Sequence, residues 1–223
     1  MAKKKTTRKK APALAIGKVH IDKDPRVYAS TVQAAPVDMK RCAGVDLGTS
    51  CGIAFADFKP GQPIVDVPIM LGQWDLSIGP YDSGILRLVR LKQFLTILQP
   101  DLVTYEEVKF TPGQELLKKR QSAAAIVARV STAAEFLGAL KATLGIWCEE
   151  RNVPAHGLGI SAIKKYATGK GNASKVQMIE AANEQMGLGF STEDYEKTGS
   201  DNICDAAFCC KMGLEAYSEG MDL

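Results

Sequence analysis

The chain has little of what a cysteine and histidine metal site needs. Its only histidines are His20 and His156, and no two of its six cysteines form a C-x-x-C pair. A zinc site is therefore poorly supported. No run approaches 18 apolar residues, and no apolar signal segment begins the chain, so we expect neither a membrane span nor secretion. The cysteines are then expected to be reduced, buried thiols of an intracellular protein.

Acidic residues are absent before Asp22, whereas the first ten residues contain six basic ones. The net charge of +3 therefore hides a mildly acidic body, which has 22 basic and 25 acidic residues once those six are set aside. The composition predicts a flexible basic arm over residues 1–38, which is typical of nucleic-acid binding or of disorder. A mitochondrial presequence is the alternative, although such segments are usually rich in arginine. Residues 39–223 are long enough for one domain.

The apolar pattern of this body predicts a mixed sheet covered by helices, because adjacent strands come first and strand–helix alternation follows. The predicted strands are 42–47, 52–58, 65–70, 102–108 and 154–160. The predicted helices are 81–99, 115–151 with a break near Gly138 or Gly145, 161–167, 173–186 with Asn172 as its N-cap, and 200–217.

Carboxylates stand where they are poorly suited to a core. Asp46 ends the first strand, on the face of Cys42 and Gly44, and Glu106 and Glu107 end the fourth, where only one of the two can share that face. The last helix carries three polar residues on or near one face, namely Asp201, Asn202 and Asp205. These acids also have ordinary structural explanations. Asp46 could form a turn, Glu106 and Glu107 could mark a solvated strand end, and Asp201 could be a helix N-cap. Asp205 is harder to explain so, because its apolar neighbours predict partial burial and a buried acid needs a partner.

Converging carboxylates repel one another, and divalent cations relieve this repulsion. Oxygen ligands without histidine or thiolate favour Mg²⁺, with Mn²⁺ able to replace it. Two such ions would suit hydrolysis of a phosphodiester. Basic residues expected to contact a nucleic-acid substrate lie around a glycine-rich turn at 169–171 and on a strip near the start of the long predicted helix. Those around the turn are Lys164, Lys165, Lys170 and Lys175, and those on the strip are Lys118, Lys119 and Arg120. A solvated basic loop is the alternative for the turn.

From about Arg41 to Ala216 these segments resemble the RuvC family of Holliday-junction resolvases, within the ribonuclease H-like superfamily. The resemblance implies an α/β fold in which three antiparallel strands are followed by parallel ones. It implies catalytic, metal-binding roles for Asp46, Glu106 and Asp205. It also implies a fourth metal ligand, which is either Asp201, as a further catalytic residue, or Asn202. Three residues before Asp205 this chain has Asn202 where the family pattern has an acid, so both candidates stay open.

The implied function is a structure-selective endonuclease that cuts four-way DNA junctions as a homodimer, with the helical region 115–151 as the dimer face. The family fits a bacterial cytoplasm or a virus replicating there, with an organelle as the alternative. A non-catalytic scaffold that binds branched DNA is a second hypothesis, which Asn202 permits. An ATP-binding protein of the superfamily of actin, heat-shock ATPases and sugar kinases is a third. It rests on the segment 45–50, but the repeat that those folds contain is missing.

Overall fold

The computed structural model describes residues 20–61, 63–64, 67–107 and 123–218. The strands are β1 His20–Asp22, β2 Lys40–Asp46, β3 Ser50–Phe58, β4 Met70–Asp75, β5 Leu102–Glu107 and β6 Ala155–Gly159. The helices are α1 Pro25–Thr31, α2 Ile85–Leu98, α3 Ala123–Glu149, α4 Ile160–Thr168, α5 Lys175–Met186, α6 Tyr195–Thr198 and α7 Ser200–Ser218.

The six strands form one mixed sheet in the order β1-β4-β3-β2-β5-β6. The pairs β2–β3 and β3–β4 are antiparallel, whereas β2–β5, β5–β6 and β1–β4 are parallel. The predicted mixed sheet, with three antiparallel strands followed by parallel ones, is confirmed. A strand at the centre of such a sheet is covered on both faces, which explains why residues 41–45 of β2 are all buried.

Helices cover both faces of the sheet. One face packs Cys42, Ala54 and other small or apolar side chains against α4, α5 and α7. The opposite face packs Ala43, Val45 and Phe55 against α1, α2 and α3. On α2 the buried residues are Leu91, Phe94, Leu95 and Leu98, which is the spacing of a helix with one apolar stripe. The side chains of successive β2 residues therefore pack against helices on opposite faces of the sheet, as predicted for the strand that ends at Asp46.

Several predicted elements are wrong. The third strand was expected at 65–70 but is β4, because Gly72 and Gln73 weaken its apolar pattern while the buried Val67 and Ile69 precede it. The helix α3 continues through Gly138 and Gly145 without a break. Its residues Leu140, Leu144 and Trp147 are buried against α2, and this packing outweighs the low helix propensity of glycine.

The N-terminal boundary also differs from the prediction. Residues 20–31, expected within the basic arm, form β1 and α1, and β1 pairs with β4. Tyr28 of α1 is buried and makes edge contacts with Trp74 and Phe94. Elements of three and seven residues are too short to show a hydrophobic period. The first 19 residues lie outside those that the structure describes.

Arg41 is a buried cation that joins three parts of the fold. Its guanidinium donates two hydrogen bonds to Asp57, at 2.7 and 2.8 Å, and one each to the carbonyl oxygens of Leu98 and Gln33. Only 1% of the residue is exposed. A buried charge with four of its five N–H donors engaged holds its surroundings in one arrangement. Removing it leaves Asp57 without its partner.

Arg41→Ala is therefore expected to lower the free energy of unfolding by about 3–5 kcal/mol in urea denaturation. The matched control is Lys40→Ala, because Lys40 pairs with Asp101 at 2.9 Å while half of its side chain is exposed. That variant should lose no more than about 1 kcal/mol. Equal losses in the two variants would contradict a structural role for the buried pair.

Candidate metal centre

Asp46 and Glu106 lie side by side at one edge of the sheet. The parallel strands β2 and β5 pair Val45 with Tyr105, so the next residue of each strand lies at the same level. Thr104, two residues before Glu106, donates a hydrogen bond to the carbonyl oxygen of Cys209 on α7, 2.8 Å away. Because side chains alternate along a strand, Glu106 shares the α7 face, and Glu107 points to the opposite one. Glu107 accordingly forms an ion pair with Lys141 of α3.

Helix α7 lies unusually close to the sheet, and this brings its carboxylates to the strand ends. A Cβ atom placed on Gly44 would lie 2.2 Å from the carbonyl oxygen of Ala206, and one on Gly52 would lie 2.1 Å from that of Asn202. Only glycine permits this approach of β2 and β3 to the helix backbone. The two glycines thus determine how near Asp205 comes to Asp46.

Asp46, Glu106 and Asp205 form one cluster, called the acidic triad below. Each offers a carboxylate oxygen, and these three oxygens all lie within 4.8 Å of one another. All three residues are partly exposed, so an ion and a substrate can reach them. The donor set consists only of carboxylate oxygens, which fits Mg²⁺ or Mn²⁺. The structure thus brings together three of the five residues predicted to bind metal.

Burial and mutual repulsion both act on the triad. Burial, followed by the negative charges of Glu106 and Asp205, raises the pKa of Asp46 well above its usual value. Burial, followed by the charges of Glu106 and Asp201, raises the pKa of Asp205 to about 7. Burial also raises the pKa of Glu106, although the positive charges of Lys164 and Lys175 oppose this. Bound divalent cations would remove the repulsion, which is a second sign that the site fits a metal.

The other two predicted ligands have different partners. Asp201 is buried and forms an ion pair with Lys175 at the start of α5. The Asn202 side-chain amide donates a hydrogen bond to the carbonyl oxygen of Ser50, 2.8 Å away. The sequence placed both residues near Asp205 on the helix, but it contained no signal for either partner.

The basic residues predicted to bind DNA form two groups, of which the structure describes only one. Lys164 and Lys165 lie on α4, Lys170 follows the left-handed Gly169 that ends α4, and Lys175 begins α5. The charges of Lys164 and Lys175 act on Glu106 and Asp205, so these two lysines lie near the triad. The predicted strip of Lys118, Lys119 and Arg120 lies outside the described residues. The predicted N-cap Asn172 is wrong, because Ser174 and Gln177 form a capping box at α5.

Without bound metal, the folding stability of the protein should depend on pH because of the raised pKa of Asp205. The folded protein holds this proton up to about pH 7, whereas an unfolded aspartate releases it near pH 3.9. Unfolding between these values releases a proton, so stability is higher at low pH and falls as the pH rises through 7. Thermal denaturation in chelator should show the melting temperature of Asp205→Asn falling less than that of the wild type between pH 5 and 8. Parallel profiles would contradict the burial of an ionisable Asp205.

All six cysteines are free and buried, as predicted. Among the described residues, none of the helices is both long and apolar enough to cross a membrane.

No protein-family model matches the chain, and no curated protein matches it. Solved structures do match it. The Thermus thermophilus RuvC structure is 18% identical, with a TM-score of 0.54 over 81% of this chain and 97% of that one. The structure of T. thermophilus RuvC in complex with a Holliday junction substrate is also 18% identical, with a TM-score of 0.55 over 81% of this chain and 96% of that one. The chain therefore has a RuvC-like fold of the ribonuclease H-like class.

Proposed function

We propose that this protein is a divalent-metal-dependent endonuclease that hydrolyses phosphodiesters in branched DNA, with four-way junctions as the preferred substrate. The acidic triad carries the proposal, because three clustered, partly exposed carboxylates repel one another and bound divalent cations would relieve this repulsion. The fold adds support, since the T. thermophilus RuvC that it resembles has been solved with a Holliday junction.

Asp46, Glu106 and Asp205 would hold the ions, Mg²⁺ with Mn²⁺ as a substitute. When bound, two such ions supply the activation of a water molecule and the stabilisation of the leaving oxygen. The chain's own residues then have two tasks. The rigid strands β2 and β5 fix two carboxylates, and α7 fixes the third. Lys164 and Lys175 place positive charge beside the triad, where a DNA phosphate must enter.

A four-way junction offers two symmetry-related strands for cleavage, so a homodimer with two sites is the natural assembly. Helices α2 and α3 pack together and expose several apolar side chains, namely Ile85, Val89 and Ile146. These residues support a dimer face on this side of the sheet, opposite α7. Of the three, only Ile146 lies within the region 115–151 that the sequence suggested. The six basic residues among the first ten, which belong to the predicted arm, would add affinity for DNA that decreases with salt.

The test is cleavage by the wild-type protein. An end-labelled four-way junction and a linear duplex of the same sequence would be incubated with Mg²⁺, Mn²⁺ or chelator. Paired nicks near the branch point, with metal only and on the junction only, support the proposal. Equal cutting of the linear duplex would keep the nuclease and remove the selectivity for junctions. Tight binding of an intact junction in either metal would favour the non-catalytic scaffold instead.

A further inference from the structure

Asp201 has a cation of its own. It lies on α7 one turn before Asp205, and 7% of the residue is exposed. Its carboxylate forms an ion pair with the ammonium group of Lys175. That ammonium also lies 5.8 Å from the centre of the Tyr195 ring, close enough for a cation–π contact. The negative charge of Asp201 is therefore already compensated inside the protein.

The acidic triad differs from Asp201 in this respect. In the part of the chain that the structure describes, no lysine or arginine forms an ion pair within 4.0 Å of Asp46, Glu106 or Asp205. A carboxylate removed from water is stabilised by a paired cation, by a metal or by protonation. Asp201 has a paired cation, whereas the triad has none and is open to a metal.

Asn202, the other candidate for the fourth ligand position, also has a partner within the protein. Its amide nitrogen is engaged by the carbonyl oxygen of Ser50, at 2.8 Å. This hydrogen bond ties the start of α7 to the first residue of β3. The residue thus contributes to the close packing of helix and strand that brings Asp205 to the triad.

The ammonium group of Lys175 nevertheless belongs to the site. Its positive charge acts on Asp46, Glu106 and Asp205 together. More than half of its side chain, 55%, is exposed, so a phosphate can approach it from solvent. The side chain starts at the first residue of α5, where the helix dipole also favours an anion.

We propose that Asp201 is a positioning residue rather than a metal ligand, and that it holds Lys175 as a fixed cation of the site, which contacts a DNA phosphate beside the triad. The site is then completed by one internal ion pair instead of a fourth metal-binding carboxylate. This inference rests on the proposed nuclease function and describes how the same site is built.

A charge-neutral double substitution separates the two roles. Mn²⁺ affinity would be measured by electron paramagnetic resonance, without DNA, for the wild type, for Asp205→Asn and for Lys175→Gln combined with Asp201→Asn. Asp205→Asn should weaken binding by more than about tenfold, because it removes a ligand. The double variant should stay within about twofold of the wild type, because removing a neutral pair barely changes the field at the triad. The exposed pair Lys92–Glu150 offers a matched control, Lys92→Gln with Glu150→Gln.

Lys175→Gln alone should change the Mn²⁺ affinity in the direction opposite to Asp205→Asn. It leaves the Asp201 carboxylate without its cation, so Mn²⁺ should bind more tightly than in the wild type. Junction cleavage at saturating Mn²⁺ should nevertheless decrease in Lys175→Gln and also in Asp201→Asn alone. The double variant should be no slower than the slower of these two single variants, because the pair acts as a unit.

The outcomes distinguish this inference from the function on which it rests. A double variant that loses Mn²⁺ affinity as Asp205→Asn does would make Asp201 a ligand and overturn the inference alone. Independent, additive losses of cleavage in the single variants would also overturn it. A wild-type protein that binds no Mn²⁺ would overturn the proposed function together with the inference.

Discussion

In chelator, Asp46→Asn is expected to unfold at a higher temperature than the wild-type protein, and in excess Mg²⁺ the order should reverse. Without metal, Asp46 faces the charges of Glu106 and Asp205 in a partly buried site. One pair of unit charges 4 Å apart costs about 4 kcal/mol at an effective dielectric of 20. Protonation relieves part of this cost at neutral pH, so a gain of about 5 °C is expected for a domain of this size.

If Mg²⁺ is the ion of the proposed site, it would bind the folded protein and not the unfolded chain. A concentration of 100 times its dissociation constant should then stabilise the wild type by about 2.7 kcal/mol. That corresponds to a rise in melting temperature of about 5–10 °C, which Asp46→Asn should largely lose. Asp75→Asn is the matched control, because Asp75 ends β4 at the same sheet edge and pairs with Lys23 at 3.0 Å. It should keep the full response to Mg²⁺. A wild type that is indifferent to Mg²⁺ would contradict a metal site.

Gly44→Ala is expected to destabilise the protein severely, because the alanine side chain would clash with the backbone of α7. The added Cβ would lie 2.2 Å from two backbone atoms of α7, the carbonyl oxygen of Ala206 and the amide nitrogen of Cys210. Neither atom belongs to a flexible side chain, so the whole helix must move away from β2. Overpacking in a core typically costs 1–3 kcal/mol, and a clash with backbone should reach at least about 3 kcal/mol. Thermal denaturation should show a loss of about 10 °C or no folded protein.

The matched control is Gly138→Ala on α3, where a Cβ would meet no atom within 4 Å. Alanine at this helical position should raise stability by up to about 1 kcal/mol, because glycine is the poorer helix former. If Gly44→Ala is as stable as the wild type, then α7 does not lie on the sheet as described, and the acidic triad has no structural basis.

The triad could be predicted from the sequence because two simple rules meet there. Residues alternate between the faces of a strand, and parallel strands end at the same edge of a sheet. These rules select Asp46 and only one of Glu106 and Glu107. The family resemblance favoured Glu106, and the structure agrees, since Glu107 pairs with Lys141 on the other face. Asp205 could be predicted because its apolar neighbours on α7 indicated that this part of the helix is buried, and a buried acid needs a partner.

The rest of the site depends on contacts between distant residues, which no local pattern shows. Asp201 and Asn202 both lie near the right face of α7, and their partners, Lys175 and Ser50, are 26 and 152 residues away in sequence. The same limit explains the missed elements. The β1 strand exists because it pairs with β4, and α1 because Tyr28 packs on Trp74 and Phe94.

The most direct test of the account compares two neighbouring substitutions on β5. Wild-type protein, Glu106→Gln and Glu107→Gln would each be incubated with an end-labelled four-way junction in Mg²⁺, and the rate of paired nicking would be measured. We expect Glu106→Gln to lose more than about 100-fold in rate, because a metal ligand contributes more than the residues that surround it. Glu107→Gln should cleave within about threefold of the wild type, since surface ion pairs contribute little. Equal rates for Glu106→Gln and the wild type would contradict the account.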